Sequence, residues 1–285
     1  MKYFTQQVSI PDIYRNKLGI TRPAAVTGYL LDAPASAVEK KRAAVIICPG
    51  GGYEHLSERE AEAVAVQFLG MGYHAFLLQY SVKPAVFPAA LMELAFLTAM
   101  IRDNREQWLV DEHKIIVCGF SAGGHLACSL GAFWNQSFLC EALGRSPQDI
   151  RPDGMILAYP VITSGPSCHE GSVRNLLGEK ADTEEARHQV SLEYQVGEQT
   201  PKTFIWHTAT DSSVPVKNSL LLSEALISHG VNVELHIFPT GRHGLSLANR
   251  ETSGGESHYI EPQCQSWISL VKAWLDVFKI KSRRA

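Results

Sequence analysis

The alternation of short apolar runs with longer stretches of helical period, from residue 43 onward, most constrains the fold of this chain. The apolar runs are rich in β-branched residues, which is typical of strands buried on both faces of a parallel sheet. Parallel strands are usually connected by helices, so the pattern predicts an α/β fold with a mostly parallel central sheet and helices on both faces. The predicted strands are Ala43–Cys48, His74–Tyr80, Lys114–Gly119, Met155–Tyr159, Thr203–His207 and Val233–Phe238, with Val26–Leu31 as an edge strand.

Two local patterns mark helices between these strands. Ser57 and Glu60 have the spacing of a capping box, and the apolar stripe that follows predicts a helix from Ala61 to Leu69. Leu91, Leu94, Ala95, Thr98 and Ile101 form a second stripe of helical period, and after the last strand a further stripe that begins at Trp267 predicts the last helix of the chain.

One polar segment, residues 162–201, interrupts the alternation and becomes helical around Ala181–Gln195. Sheets of this kind bind ligands beyond the carboxyl ends of their strands, so an insertion that leaves such an end is predicted to cover the site as a cap or lid. Since α/β domains of about 250 residues with an insertion are common, residues 1–285 are predicted to form a single domain, with 162–201 as its cap.

Composition excludes several classes of protein. The 45% hydrophobic content excludes a disordered chain, and the net charge of −3 lacks the basic excess of a nucleic-acid-binding protein. Six cysteines without a CxxC spacing argue against a zinc module or a dense disulfide scaffold. The chain starts without an apolar signal region, and its apolar runs are far shorter than the ~20 residues of a membrane span. We expect a cytoplasmic protein without a nucleic-acid or membrane partner; a homo-oligomer stays open.

A nucleophile elbow is predicted at Gly119-Phe120-Ser121-Ala122-Gly123, a G-x-S-x-G pattern between a predicted strand and a helical stretch. A serine on such a tight turn takes a strained backbone conformation, and the residues two positions away must be small so that strand and helix can approach each other. The alternative is a glycine-rich turn with an idle serine, which the strand-turn-helix context disfavours.

A serine nucleophile needs a general base and a carboxylate that orients the base, and the sequence offers both downstream. Asp211 follows the strand Thr203–His207, and His243 follows the strand Val233–Phe238. Both lie on loops that leave carboxyl ends of strands, so they are expected to meet Ser121 in the chain order Ser, Asp, His. Two alternatives remain: Asp211 as the N-cap of a following helix, and His243 as a solvated loop histidine. His258 is the reserve candidate for the base.

The glycines after the first central strand predict an oxyanion hole. Their N–H groups can point at a developing negative charge without side-chain interference, so Gly51, Gly52 and the N–H of Ala122 are the expected donors. A phosphate-binding loop is disfavoured because no GK[ST] and no G-x-G-x-x-G that opens a helix is present.

Together these segments resemble the α/β-hydrolase superfamily. Pro49-Gly50-Gly51-Gly52-Tyr53, combined with Gly119 to His125, is similar to bacterial acetyl-xylan esterases and feruloyl-esterase-like (BD-FAE-like) hydrolases. The resemblance implies an α/β-hydrolase fold and a serine carboxylesterase that hydrolyses small acyl esters, such as acetyl groups on sugars or xylo-oligosaccharides, with no metal or organic cofactor. It also implies that Tyr53, Glu54, His55 and the insertion border the substrate.

Two other functions remain open. The same three residues could serve an amide or formamide hydrolase or an acyltransferase, although the His-Gly-Gly-x-Trp motif typical of kynurenine formamidases is missing. The fold could also belong to a catalytically silent binding protein. A binding protein has no need of serine, acid and base together, which disfavours this last interpretation.

Overall fold

The computed structural model describes residues 1–33 and 41–281, with side chains described as far as residue 276. The strands are β1 Lys2–Val8, β2 Ala24–Leu30, β3 Arg42–Cys48, β4 His74–Gln79, β5 Val110–Phe120, β6 Gly154–Ala158, β7 Thr203–Thr208 and β8 Val233–Phe238. The helices are α1 Asp12–Lys17, α2 Glu62–Gly70, α3 Ala89–Asp103, α4 Ala122–Phe133, α5 Ser137–Leu143, α6 Pro147–Ile150, α7 Glu170–Leu177, α8 Glu184–Val190, α9 Lys217–Ser228 and α10 Trp267–Lys281.

These strands form a single sheet in the order β1-β2-β4-β3-β5-β6-β7-β8. The pairs β1–β2 and β2–β4 are antiparallel, and every pair from β4 to β8 is parallel. The predicted α/β fold with a mostly parallel sheet is confirmed. Because the parallel strands end at one edge, the loops that follow β3, β5, β7 and β8 are neighbours there.

Each face of the sheet carries its own apolar core. In β3, Ala44 and Ile46 pack into the core under α3, α4 and α9, whereas Val45 and Ile47 pack into the core under α2 and α10. All four side chains are fully buried, as expected for a strand covered on both faces. Helices on both faces therefore hold the strand ends, and the loops that follow them, in place.

The predictions for both edges of the sheet were wrong, since the edge strands are β1 and β8. Val26–Leu31 was expected at an edge, but β2 lies between β1 and β4. β1 is largely exposed and polar, so its pairing depends on main-chain hydrogen bonds rather than on an apolar run that a sequence pattern would reveal. At the opposite edge, β8 is only half-buried although an interior strand was expected.

The predicted capping box is wrong. Ser57 makes no side-chain cap, and a short 3-10 turn, Glu58–Glu60, precedes α2. The Glu60 side chain points inward instead and is 3% exposed. Its two carboxylate oxygens accept hydrogen bonds from the Gly50 N–H (2.8 Å) and the Tyr159 hydroxyl (2.6 Å).

The segment 162–201 contains α7 and α8. The helix expected around Ala181–Gln195 corresponds to α8 and the short 3-10 turn Leu192–Tyr194 after it, whereas α7 was not predicted. Arg187 of α8 forms an ion pair with Glu170 of α7 (2.6 Å), which ties the two helices together. The role of this segment as a cap stays a prediction.

A buried carboxylate on α3 holds the loop that follows β4. Glu93 is 1% exposed, and its two oxygens accept hydrogen bonds from the Ser81 N–H (2.7 Å) and the Ser81 hydroxyl (2.5 Å). Burial raises the pKa of Glu93 from 4.5 to about 7, although the hydrogen bonds from Ser81 oppose the rise. The folded chain therefore binds this proton more tightly than the unfolded chain does.

This pKa predicts a pH dependence of stability. Because the folded-state pKa is raised, the contribution of Glu93 to stability is greatest below pH 4.5 and falls as the pH rises to about 7. Relative to Glu93→Gln, the free energy of unfolding of the wild type should fall by roughly 2–3 kcal/mol across that window, as measured by urea denaturation. Parallel pH profiles for the two proteins would contradict the prediction.

No helix in the described ranges is long and apolar enough to cross a membrane.

Candidate active site

Ser121 lies on the sharp turn between β5 and α4. Its φ of 52° and ψ of −117° are unfavourable for a residue with a side chain, and its N–H donates to the Ala158 carbonyl oxygen (3.0 Å). A Cβ on Gly119 would lie 2.1 Å from the Gly123 carbonyl oxygen, and a Cβ on Gly123 would lie 2.1 Å from the Cys48 carbonyl oxygen. Both positions therefore require glycine, and the strand-turn-helix context expected from the sequence is present.

The close approach at Gly123 predicts a large loss of stability for Gly123→Ala. The new methyl group would meet backbone atoms of Cys48 and Pro49 that cannot move without disturbing β3. We expect the free energy of unfolding to fall by about 3 kcal/mol or more in urea denaturation. Gly70→Ala is the matched control because a Cβ on Gly70, at the end of α2, has open space around it. Equal stability of the two variants would contradict the prediction.

Asp211 follows β7 and uses both of its carboxylate oxygens. Oδ1 accepts hydrogen bonds from the Ser213 N–H (3.0 Å) and the Val214 N–H (2.9 Å), and Oδ2 lies 2.6 Å from His243 Nδ1. Since α9 begins only at Lys217, Asp211 stabilises the turn before the helix rather than capping the helix. One oxygen thus fixes the carboxylate and leaves the other free to bind the imidazole.

A second histidine, which the sequence did not single out, also contacts Asp211. His207 is fully buried, and its Nε2 lies 3.3 Å from Asp211 Oδ2 and 2.9 Å from the Val214 carbonyl oxygen. Burial raises the pKa of Asp211, but the hydrogen bonds from His207 and His243 outweigh it, so the pKa of Asp211 lies below its usual range. Asp211 is therefore ionised at neutral pH.

His243 lies on the loop after β8, between Ser121 and Asp211. Its Nε2 is 2.7 Å from Ser121 Oγ, while its Nδ1 is 2.6 Å from Asp211 Oδ2. Because ionised Asp211 can only accept, the imidazole proton is on Nδ1, and Nε2 is free to accept the serine proton. The reserve candidate, His258, lies on a 3-10 turn with its Nδ1 3.8 Å from Glu256, and no bond joins it to Ser121 or Asp211 among the described residues.

The main-chain N–H groups of the glycine loop after β3 differ in whether they have an acceptor. Gly51 and Gly52 have positive φ values of 121° and 65°, and the Gly50 N–H is bound to Glu60. Within the described ranges, the N–H groups of Gly51, Gly52 and Ala122 donate to no protein acceptor. They are therefore free to bind an oxyanion; this role stays a prediction.

The three residues expected to border the substrate have different environments. Tyr53 is 3% exposed, and its hydroxyl donates to His125 Nδ1 (2.9 Å). Glu54 is exposed and forms an ion pair with Lys83. His55 is exposed, and its N–H binds the Gly51 carbonyl oxygen (3.2 Å). The buried Tyr53 side chain thus anchors the glycine loop to His125. Contact of Tyr53, Glu54 and His55 with substrate stays a prediction.

The segment 162–201 lies against the glycine loop. Asn175 Nδ2 donates to the Gly52 carbonyl oxygen (2.9 Å), and a Cβ on Gly52 would lie 3.6 Å from Ser172 Oγ and 3.9 Å from His169 Cε1. His169 Nδ1 accepts a hydrogen bond from the Ser172 N–H (3.2 Å), so the imidazole proton is on Nε2. Burial and, to a smaller extent, the proximity of the His243 imidazole lower the pKa of His169, which favours its neutral form. No local pattern pointed to His169, because its position depends on the path of the insertion.

A cavity of about 570 Å³ lies on the side of the glycine loop near β4. Its lining combines apolar and polar side chains and does not include Ser121 or His243. It is lined by Thr21, Arg22, Pro23, Ala24, Pro49, Leu56, Ser57, Glu58, Ala61, Leu77, Gln79, Tyr80, Ser81, Val82 and Lys83.

In the described part of the chain, no group of three or more His, Cys, Asp or Glu side chains is arranged to hold a metal ion. All six cysteines are free thiols, and five of them are buried.

Comparison with known proteins identifies the family of this chain. The family model described as BD-FAE matches residues 31–226, more than two thirds of the chain. The chain belongs to the BD-FAE family. The predicted resemblance is confirmed.

Two relatives that are similar in sequence are a xylanase and an acetylxylan esterase. The chain is 39% identical over 228 residues to endo-1,4-beta-xylanase B of Butyrivibrio fibrisolvens, with 76% of this chain and 35% of that protein covered. It is 29% identical over 211 residues to the acetylxylan esterase of Xylanibacter ruminicola, with 72% and 41% covered. The chain thus spans well under half the length of these two relatives.

Solved structures match over nearly the whole BD-FAE chain. The acetyl ester-xyloside bifunctional hydrolase of Caldicellulosiruptor lactoaceticus is 34% identical with a TM-score of 0.80, and 97% of this chain and 96% of that chain are covered. The carboxylesterase Cest-2923 of Lactobacillus plantarum is 28% identical with a TM-score of 0.84, and 98% of each chain is covered. The α/β-hydrolase fold is confirmed, and the chain groups with ester hydrolases.

Proposed function

We propose that this protein is a serine carboxylesterase that removes small acyl groups, in particular acetyl groups, from sugars or xylo-oligosaccharides. The observation that carries the proposal is the continuous hydrogen-bonded chain from Ser121 Oγ through His243 to Asp211, at 2.7 and 2.6 Å. This is the arrangement that a hydroxyl needs in order to attack a carbonyl carbon at neutral pH.

The reaction follows from the positions of the protons. His243 Nε2 takes the Ser121 hydroxyl proton as Oγ bonds to the carbonyl carbon, and it then gives that proton to the departing alcohol oxygen. The acyl group remains as an ester on Ser121. Water attacks this ester in the same way, transferring a proton to Nε2, and the acid leaves as the proton returns to Ser121 Oγ. Ionised Asp211 holds the Nδ1 proton and stabilises the imidazolium in both steps.

The negative charge of each tetrahedral intermediate is bound by main-chain N–H groups. Gly51, Gly52 and Ala122 supply N–H groups that have no protein acceptor among the described residues, so an oxyanion can take them without breaking other bonds. A single donor of this kind is typically worth about 3–4 kcal/mol of transition-state stabilisation.

The choice of a small acyl group and a sugar alcohol is supported by the surroundings and by the relatives. Ser172 Oγ and His169 Cε1 would lie 3.6 and 3.9 Å from a Cβ on Gly52, so both side chains are close to one of the proposed oxyanion donors. Similar proteins include an acetylxylan esterase and an acetyl ester-xyloside hydrolase. The partner is then a small-molecule ester, with neither nucleic acid nor membrane involved. A cytoplasmic location is supported by six free thiols, since reduced cysteines are typical of that compartment.

The substrate class is tested by comparing kcat/KM for acetylated xylo-oligosaccharides with that for N-formylkynurenine. We expect a higher kcat/KM for the acetyl ester, because an ester alcohol leaves the tetrahedral intermediate more easily than an amide nitrogen does. A preference of about 10⁴-fold for the formamide would replace the esterase by an amide hydrolase of the same mechanism.

The acyl preference is tested with a series of p-nitrophenyl esters that share one alcohol and differ in acyl length. Acetate should be hydrolysed with the highest kcat/KM, and the value should fall steadily for longer chains. An increase toward long chains would contradict the proposal of a small acyl group.

A further inference from the structure

Glu60 lies outside the catalytic residues assigned above, but its buried carboxylate joins two of the loops that carry them. Glu60 Oε2 accepts a hydrogen bond from the Gly50 N–H (2.8 Å), in the loop that precedes Gly51 and Gly52. Gly50 is also close to the nucleophile, since a Cβ there would lie 3.0 Å from the Ser121 Cβ. The carboxylate therefore fixes the start of the oxyanion loop next to Ser121.

The other oxygen of Glu60 leads to the loop of His243. Glu60 Oε1 accepts a hydrogen bond from the Tyr159 hydroxyl (2.6 Å), and that hydroxyl accepts one from the Ser246 N–H (2.8 Å). The Tyr159 ring packs edge-on against the His243 imidazole, with ring centroids 5.1 Å apart. Tyr159 thus supports His243 directly and holds the chain three residues beyond it.

The preceding residue, Arg59, adds two bonds to the same loop. The Arg59 guanidinium donates to the Gly244 carbonyl oxygen, and the Arg59 carbonyl oxygen accepts a hydrogen bond from the Ser246 hydroxyl (2.6 Å). The turn that contains Arg59 and Glu60 therefore binds the His243 loop at two positions. Since Glu60 itself is 3% exposed, its hydrogen bonds are shielded from competing water.

We propose that Glu60 is a positioning residue that fixes the oxyanion loop and the His243 loop relative to each other. Glu60 does not touch the substrate. Its carboxylate keeps the main-chain donors and the imidazole at the separation that the tetrahedral intermediate requires, so its loss lowers turnover more than substrate binding. This role rests on the proposed serine esterase mechanism.

The test measures kcat and KM with p-nitrophenyl acetate and thermal unfolding for Glu60→Ala, Glu60→Gln and Tyr159→Phe. Glu60→Ala should lower kcat about 100-fold with KM changed by less than about threefold. Glu60→Gln keeps an acceptor for the Gly50 N–H and should retain about tenfold more activity than Glu60→Ala. Tyr159→Phe keeps the ring against His243 but loses the hydroxyl, so its kcat should fall about tenfold.

Glu93→Ala is the matched control, because Glu93 is an equally buried carboxylate bound to one N–H and one hydroxyl, both of Ser81. It should lower the unfolding temperature and keep kcat within about threefold of the wild type. A folded Glu60→Ala enzyme with kcat within about threefold of the wild type would overturn the proposal. If Glu60→Ala does not fold, unchanged kcat in both Glu60→Gln and Tyr159→Phe would overturn it. If the wild-type protein itself did not hydrolyse the ester, the proposed esterase function would be wrong.

Discussion

Ser121→Ala is expected to lower kcat for p-nitrophenyl acetate by about 10⁶-fold, the largest effect among the predictions made for this enzyme. The substitution removes the oxygen that is proposed to form the acyl-enzyme, while the N–H groups of Gly51, Gly52 and Ala122 remain. Among the residues that the structure describes, the Ser121 hydroxyl is hydrogen-bonded only to His243, so the variant should fold with nearly unchanged stability. Steady-state hydrolysis and thermal unfolding of the purified variant provide the two measurements.

The control for this variant is Ser129→Ala, on α4 and about two helical turns beyond Ser121. Ser129 is also buried, but its hydroxyl donates to the His125 carbonyl oxygen and has no bond to His243 or Asp211. Its loss should leave kcat within about threefold of the wild type. Retention of substantial activity by Ser121→Ala would show that another group attacks the ester.

Asp211→Asn is expected to lower kcat by about 10⁴-fold and to leave the fold intact. The new amide keeps an oxygen for the Ser213 and Val214 N–H groups, so the turn before α9 should persist. Its nitrogen, however, is a donor and cannot accept the Nδ1 proton of His243. The imidazole then carries its proton on Nε2 and no longer accepts the proton of Ser121.

Asp153→Asn separates this effect from the loss of a buried negative charge. Asp153 is also a buried carboxylate, but it binds the Ile115 N–H (2.9 Å) and lies 3.5 Å from Arg102. We expect lower stability with kcat close to that of the wild type. If Asp211→Asn were as active as Asp153→Asn, the acid partner of His243 would have to be sought elsewhere.

Much of the site could be predicted because it depends on a local turn pattern and on the topology of the sheet. The turn at Ser121 requires small neighbours at fixed positions, so the glycines at 119 and 123 reveal it in the sequence. The proximity of Asp211 and His243 follows from the topology of a parallel sheet, which gathers the loops after β7 and β8 at one edge. The catalytic roles of these residues stay predictions.

The parts that could not be predicted depend on contacts between distant segments. The spacing of Ser57 and Glu60 fits a capping box equally well, but Glu60 turns inward to bind Gly50 and Tyr159, which lies 99 residues further along. His169 likewise lies beside Gly52, far from it in sequence, whereas His207 contacts Asp211 only four residues away but has no local pattern that indicates this contact. β1 escaped prediction because an exposed edge strand has no continuous apolar pattern.

The proposed acyl-enzyme on Ser121 is tested most directly by rapid acid quenching of the wild-type enzyme during turnover of p-nitrophenyl acetate, followed by peptide mass mapping. The mechanism predicts one added acetyl group, carried by Ser121, that disappears when the substrate is exhausted. An acetyl group on any other residue, or full turnover with unmodified Ser121 throughout the burst phase, would contradict it.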